Sequence, residues 1–313
     1  MQAWTTDPGA PGGLTLGEVP EPAPLPHELL VQVEAFAPNP GDLAALDGAP
    51  AGSIPGWDGA GVVLEPAADG LGPQAGERVL FLGLAAQGWA QRRAVPRASA
   101  AVAPAEASAE HLATLPVPAT SALRAVRRLG SVLGRRVLIV GGTSAVGRFA
   151  VQLAAHSGAQ VIAVARDESR HAELRALGAA EVHASLAGVN RPVHGAIDMI
   201  GGQHLVDTYA LLEQGGTVVA LGHAAGADER FPYGAFVADP ATSDRSITSF
   251  FLGTEPGLPA EMALLAADAA LDAGPIDVQS WTELATWVEG GAARRSGRVV
   301  FRMDRQERAT LGG

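Results

Sequence analysis

Arg136-Val-Leu-Ile-Val-Gly-Gly-Thr-Ser-Ala-Val-Gly-Arg148 says more about the architecture than any other segment of the chain. Residues 137–140 are four consecutive apolar side chains, the pattern of a strand buried on both faces. A glycine-rich turn follows at once, and Val146, Phe149, Ala150, Leu153 and Ala154 then recur at helical spacing. A strand, a tight turn and a helix start aim backbone N–H groups at one point, where the helix dipole favours an anion. Gly141 takes the turn conformations that other residues resist, and Gly147 lets the helix pack closely on the strand. Thr143, Ser144, Ala145 and Val146 fill the turn between them. Ser144 stands where a dinucleotide-binding turn usually has its middle glycine. A side chain there crowds a pyrophosphate, although its hydroxyl could donate to one. An ordinary strand-to-helix turn reads the same way, so the flanking sequence decides.

Downstream, residues 160–165 read as a second strand and 168–177 as a helix closed by Gly178. Residues 181–183 and 196–200 read as third and fourth strands, the latter followed by Gly201-Gly202. A helix over 205–212, a fifth strand over 217–221 ending at Gly222, and a sixth over 246–252 complete the series. Val- and Ile-rich strands alternating with helices predict a doubly wound parallel sheet covered on both faces. Ligands then bind outside the carboxyl ends of the strands. The glycine turn, Arg166, Gly222 with His223, and the Phe250 region all fall at such ends. The second strand ends Ala165-Arg166, without the acidic residue that would bond the ribose hydroxyls of NAD. A guanidinium there matches a 2′-phosphate, so the reading favours NADPH. Asp167, the rival, is read as a helix N-cap, and a merely solvated Arg166 is the other reading.

Composition bounds the remainder. The chain has 313 residues, enough for two domains with their own cores. Hydrophobic residues make up 47%, yet no apolar run reaches the ~20 residues of a spanning helix. Met1-Gln-Ala-Trp-Thr-Thr-Asp-Pro lacks the pattern of a signal peptide, and the expectation is a cytoplasmic protein. A net charge of −11 argues against nucleic acid and anionic membranes as partners. There is no Cys, and all 22 basic residues are Arg. Thiol catalysis, cysteine-ligated metals and lysine Schiff bases are therefore excluded together. The first hundred residues have another character. They are rich in Pro and Gly, with short strands such as 29–34, 61–64 and 76–82. That pattern predicts a small antiparallel barrel. The end of the chain returns to it, with a helix near 282–289 and a strand over 297–302. Residues 304–313 read as a frayed polar tail.

At this point the chain resembles a family, the medium-chain dehydrogenases/reductases, in the zinc-free quinone oxidoreductase branch and closest in look to its actinobacterial members. The resemblance rests on an ordered series of short pieces: Gly17-Glu-Val-Pro, Asn39-Pro-Gly-Asp42, Pro55-Gly-Trp-Asp-Gly-Ala-Gly61 and Gly76-Glu-Arg-Val. Leu115-Pro to Ser121-Ala, the glycine turn, Asp198 before Gly201-Gly202, Gly215-Gly216 and Gly297-Arg-Val-Val follow. It implies a GroES-like catalytic domain formed by residues 1–118 and 256–313, around a Rossmann NADPH-binding domain over 119–255. The active site would lie in the cleft. Zinc-dependent relatives place Cys where Asn39 stands and a His-Glu pair where Trp57-Asp58 stand. Asn39 and Trp57 cannot replace those ligands, so no metal is expected.

The same resemblance implies that Asn39 and Asp42 flank the nicotinamide and substrate; beside them Trp57 is read as a wall of the substrate pocket, and Asp58 either as a carboxylate behind that pocket or as the cap of a turn. It places Ser121 near the nicotinamide and Gly222, Phe250, Phe251 and Leu252 on the cofactor. Arg298 stands where relatives carry a Lys near the cofactor phosphates. Ala44 replaces the Tyr that several relatives offer as proton donor. His223 and Tyr233 are then candidates, with a solvated loop His as the other reading of His223, and water could also deliver the proton. The expected activity is hydride transfer from NADPH to a quinone or an α,β-unsaturated carbonyl compound, which needs no Lewis acid. Two alternatives stay open. One is an enoyl-thioester reductase with a basic entrance at Arg92-Arg93 or Arg294-Arg295. The other is a nucleotide-binding protein without turnover. Whether a homodimer forms along the sixth strand is open as well.

Overall fold

A computed structural model describes residues 1–83, 87–237, 239–254, 256–291 and 297–303. Arg294, Arg295 and the tail over 304–313 lie outside the described residues. In chain order the first part contains β1 (Gln2–Thr6), β2 (Leu14–Glu18), β3 (Glu28–Phe36), α1 (Pro40–Ala44), β4 (Asp58–Glu65), β5 (Arg78–Leu82), β6 (Arg92–Pro96), β7 (Ala100–Val102) and α2 (Ala109–Leu112). After α3 (Pro118–Arg128) come β8 (Arg136–Val140), α4 (Ala145–His156), β9 (Gln160–Val164), α5 (His171–Ala176), β10 (Ala179–His183), β11 (Val193–Asp198), α6 (Gln203–Ala210), β12 (Leu212–Ala220) and β13 (Ser246–Thr248). The chain closes with α7 (Leu258–Ala267), β14 (Ile276–Ser280), α8 (Leu284–Glu289) and β15 (Arg298–Arg302).

Two compact units result, Met1–Thr120 with Gly253–Gly313, and Ser121–Leu252. The first is built on a seven-stranded sheet in the order β14-β15-β3-β4-β5-β7, with β6 also paired to β3. Its pairings are antiparallel except β14 with β15, so the sheet is mixed where the turn spacing alone predicts antiparallel strands. The C-terminal strand enters beside β3 because Phe36 and Phe301 are register partners and their rings stack at 5.6 Å. Alternate residues Leu29, Val31 and Val33 of β3 join Trp4, Phe81, Trp89, Trp281 and Phe301 in one core.

The second unit is a six-stranded, wholly parallel sheet in the order β10-β9-β8-β11-β12-β13. This is the doubly wound order, with its topological switch between β8 and β11. Leu138, Val140, Ile162, Val164, Ala196, Leu205, Tyr209 and Val218 form a core cluster on it. Two strands stop earlier than their apolar runs suggest. β11 ends at Asp198, whose carboxylate accepts the N–H groups of Ile200 and Gly201 and turns the chain. β13 covers only residues 246–248 of the expected 246–252. Beyond it the chain is drawn to α3, where Arg128 lies over the Phe250 ring at 4.0 Å and Arg124 donates to the Leu252 carbonyl. No helix among the described residues is long and apolar enough to cross a membrane.

Candidate functional site

In the parallel-sheet unit the site is made of backbone. β8 runs into Gly141 (φ +88°), and the Gly141 and Gly142 N–H groups both reach the Val164 carbonyl at the end of β9. A Cβ on Gly147 would stand 2.2 Å from the Gly141 carbonyl oxygen, so only glycine lets α4 start so close to the strand. Ser144 is the N-cap of α4: its hydroxyl accepts from Gly147 N–H at 3.0 Å and donates to the Gly141 carbonyl at 2.9 Å. This corrects the expectation for that side chain. The hydroxyl turns inward to close the turn and is not presented to an anion. Among the described residues the N–H groups of Thr143, Ala145 and Val146 have no acceptor. Three unpartnered donors, one on the turn and two in the first turn of a twelve-residue helix, suit a pyrophosphate.

The neighbouring strand ends extend this edge. Arg166 follows β9, is exposed, and has no ion-pair partner among the described residues. Asp167 caps the next helical turn through Ser169 N–H, as its sequence position predicts, and Arg166 is left as the free charge. Gly222 packs under Met199, where a Cβ would stand 2.7 Å from the carbonyl oxygen. His223 is exposed and its Nε2 lies 3.2 Å from Glu229, which also accepts from Gly202 N–H. Tyr233 is fully exposed on a turn. Phe251 is exposed, Phe250 and Leu252 are tied to α3 as described, and Ser121 is partly buried on α3. Burial holds the Asp198 carboxyl above the usual carboxylate range.

In the mixed-sheet unit the site residues form a buried cluster of charges. Asn39, Asp42, Asp58, Arg93 and Arg298 are each less than a tenth exposed. Asp42, at the third position of α1, accepts the Asn39 N–H and side-chain amide on one oxygen and the Trp57 N–H on the other. Asn39 also donates to Asp58 at 3.0 Å, and Val117 N–H approaches the second Asp58 oxygen at 3.3 Å. Arg298 completes the cluster by donating to the Ala37 and Pro38 carbonyls and to the Asn39 amide oxygen. Its guanidinium is thus committed to this network, which corrects the expectation of a cation reaching the cofactor phosphates. Burial first, and then the neighbouring Asp42, push the Asp58 carboxyl up to about 7, while Arg298 opposes them. Burial also raises Asp42 and draws Arg298 below its ordinary value.

Sequence reading misses the role of Arg93. It offers Arg92-Arg93 as a basic entrance, but Arg92 pairs with Glu21, and Arg93 is buried with its guanidinium on the Trp57 and Gly83 carbonyls. The signal is there: in β6, Arg93 and Val95 alternate on the face that is buried. Arg148, buried on α4 and paired with Glu173 of α5, is missed as well.

The comparisons with known proteins agree with this architecture. A model described as the alcohol dehydrogenase GroES-like domain matches residues 25–105, and one described as zinc-binding dehydrogenase matches residues 145–267. The chain is 30% identical to the 2-methylene-furan-3-one reductase of Solanum lycopersicum over 57% of its own length and 50% of that protein. It spans half or less of the length of the first curated relatives it matches. Its fold is similar to that of the quinone oxidoreductase from Coxiella burnetii (TM-score 0.79, 23% identity, 97% and 99% of the two chains). The yhdH oxidoreductase from Salmonella enterica in complex with NADP is equally alike (TM-score 0.81, 22% identity, 97% and 100%). Among the described residues no group of three His, Asp or Glu side chains could hold the zinc in the second model's description. The chain has no Cys, the oxygens of Asp42 and Asp58 already accept N–H groups, and Arg298 supplies the positive charge beside them. A doubly wound unit with a glycine turn, a mixed-sheet unit assembled from both chain ends, and the two family models in that order show that the chain belongs to the medium-chain dehydrogenase/reductase superfamily.

Proposed function

We propose that the protein is an NADPH-dependent reductase of the quinone oxidoreductase-like branch, acting without a metal on quinones or α,β-unsaturated carbonyl compounds. One observation carries the reading: three unpartnered N–H groups at Thr143, Ala145 and Val146 lie on the turn bonded to the end of β9, and the free guanidinium of Arg166 follows that strand. The N–H groups would hold the pyrophosphate and Arg166 the 2′-phosphate. When bound, the nicotinamide supplies the hydride. One oxygen of Asp167 accepts the Ser169 N–H and hydroxyl, which turns this carboxylate toward its own helix start.

On the substrate side, Asn39 and Asp42 fix the start of α1, and Trp57, whose N–H donates to Asp42, would wall the pocket. Without a Lewis acid to polarise an isolated carbonyl, the easier acceptor is one whose charge is delocalised on reduction. The tomato relative, a reductase of a methylene conjugated to a ketone by its name, supports an acceptor of that kind. A quinone or enolate oxygen is basic enough to take its proton from water, and the exposure of His223 and Tyr233 leaves water as the simplest donor. The test is titration with NADPH and NADH by nicotinamide fluorescence, followed by turnover with a quinone and an enone panel in the presence of a chelator. Tighter binding of NADPH and chelator-resistant turnover are expected. Absence of nicotinamide binding would overturn the reading.

A further inference from the structure

Trp57 differs from the other large aromatics of its unit. Trp89 and Trp281 are core side chains, exposed by 1% and 0%. The Trp57 ring is partly exposed, yet its backbone is held on every side. Its N–H donates to Asp42 at 2.9 Å, and its carbonyl accepts from Gly83 N–H at 2.8 Å and from Arg93 Nη1 at 2.9 Å. The preceding carbonyls of Pro55 and Gly56 accept from Trp89 and Gly88 N–H. Arg93 is buried, with its second nitrogen on the Gly83 carbonyl and its guanidinium 5.1 Å over the Phe81 ring. Taking a guanidinium out of water is unfavourable unless the contacts it makes are needed. Here those contacts fix one peptide.

The indole itself rests on α1. A Cβ built on Gly41 would stand 2.3 Å from Trp57 Cη2, 2.5 Å from Cζ3 and 3.5 Å from Cζ2, so the outer edge of the ring abuts the glycine. Among the described residues the indole N–H has no acceptor. A fixed, electron-rich, flat surface with a spare donor at its edge is complementary to an electron-poor ring that carries oxygens.

We propose that Trp57, seated on Gly41, is the platform that selects flat conjugated acceptors, and that Arg93 is the residue that positions it. The inference rests on the reductase reading and names the residues that would recognise the planar acceptors proposed there. The indole stacks on the acceptor ring or enone plane, its N–H donates to an acceptor oxygen, and a saturated, puckered ketone gains neither contact.

The test uses Gly41→Ala, which removes nothing and forces the ring to move. The probe is a soluble 1,4-naphthoquinone titrated calorimetrically into the full chain saturated with NADP⁺. Gly41→Ala should weaken binding roughly threefold to tenfold, the worth of one stacked aromatic contact. Trp57→Phe should weaken it by a similar factor, and Gly41→Ala added to Trp57→Phe should weaken it no further, because the smaller ring leaves room for the methyl. Cyclohexanone affinity should not respond. Arg93→Gln should raise KM for the quinone while keeping kcat and NADPH affinity, a split that a merely structural role would not give. Wild-type affinity in Gly41→Ala, or an undiminished loss in the Trp57→Phe background, overturns the platform. Naphthoquinone binding that follows this pattern in a protein that binds no nicotinamide would keep the platform and sink the reductase reading.

Discussion

The two candidate sites face opposite electrostatic problems. In the parallel-sheet unit the proposed anion would be held by N–H groups left over at a helix start, with Arg166 following the neighbouring strand. In the mixed-sheet unit two carboxylates are buried, and the chain offsets them with Arg298 and Arg93. The first site depends on backbone geometry, so it is sensitive to any added Cβ. The second depends on the balance of charges, so it should be sensitive to any charge removed and to pH. The contrast shows why one half keeps glycine at Gly141 and Gly147 while the other keeps Arg298 from a strand nearly the whole chain away from Asn39.

Removing the cation should disturb this contrast most. Arg298→Met leaves the Asn39 amide oxygen and two carbonyls without their donor and the buried carboxylates without their counter-charge. Breaking a buried charge arrangement from one side costs about 3–5 kcal/mol, and urea unfolding should show a loss of that order. A loss under about 1 kcal/mol, the range of an exposed pair, would mean that the carboxylates are neutral without Arg298. The next effect belongs to the other unit. Arg166→Ala should cost NADPH about 1.5–3 kcal/mol of binding and leave NADH and stability nearly unchanged. Equal weakening of both cofactors would place the guanidinium away from the 2′-phosphate.

The two halves are also unequally legible in the sequence. β8, β9 and α4 follow from apolar runs, helical spacing and the glycines between them, because each is decided by residues within one window, whereas β12 starts at Leu212, within the segment read as helix and five residues before the expected strand. Ser144 misleads when it is measured against a glycine template, although a Ser just before a helical run is an ordinary N-cap signal. The early ends of β11 and β13 are invisible in the sequence, since Asp198, Arg124 and Arg128 stop those strands through side chains and an apolar run does not record that. In the mixed-sheet unit, Asn39, Asp42, Trp57 and Asp58 emerge from family resemblance and local motif, but not the charge balance that joins them. That balance needs β15 to pair with β3, a contact between the two ends of the chain.

A smaller effect separates the two units through pH. The Asp58 carboxyl is raised from 3.8 in an unstructured chain to about 7 in the fold. Between those values the folded protein keeps a proton that the unfolded chain has released. Its contribution is therefore fully present at low pH and is lost as pH rises through about 7. The slope from one such group cannot exceed about 1.4 kcal/mol per pH unit. Glu21, Glu173 and Glu181, whose carboxyls are held below their ordinary value by Arg92, Arg170 and Arg136, act at lower pH. Between about pH 4 and pH 7 the stability of the wild type should fall relative to Asp58→Asn, and above that the two curves should run parallel. Curves that run parallel throughout would show that Asp58 is already charged in the fold. Substitutions in the glycine turn should leave this slope untouched.

The smallest expected effect tests whether the turn is backbone alone. Ser144 accepts from Gly147 N–H and donates to the Gly141 carbonyl, so its hydroxyl is a cap. Ser144→Ala should therefore cost about 1 kcal/mol of stability, and Ser144→Gly only a few tenths, the usual ranking at an N-cap. Cofactor affinity should move in neither case by more than about twofold, because Thr143, Ala145 and Val146 N–H groups are unaltered and the Gly147 N–H, now uncapped, becomes a fourth donor to the same anion. Ser144→Thr keeps the hydroxyl and should match the wild type in both respects. The decisive measurement is a pair of numbers for Ser144→Ala, a urea midpoint and an NADPH dissociation constant. If the midpoint is unchanged while NADPH binds roughly tenfold more weakly, the hydroxyl meets the ligand directly. The two units would then differ less than their hydrogen bonds indicate, since a side chain as well as the backbone would hold the anion.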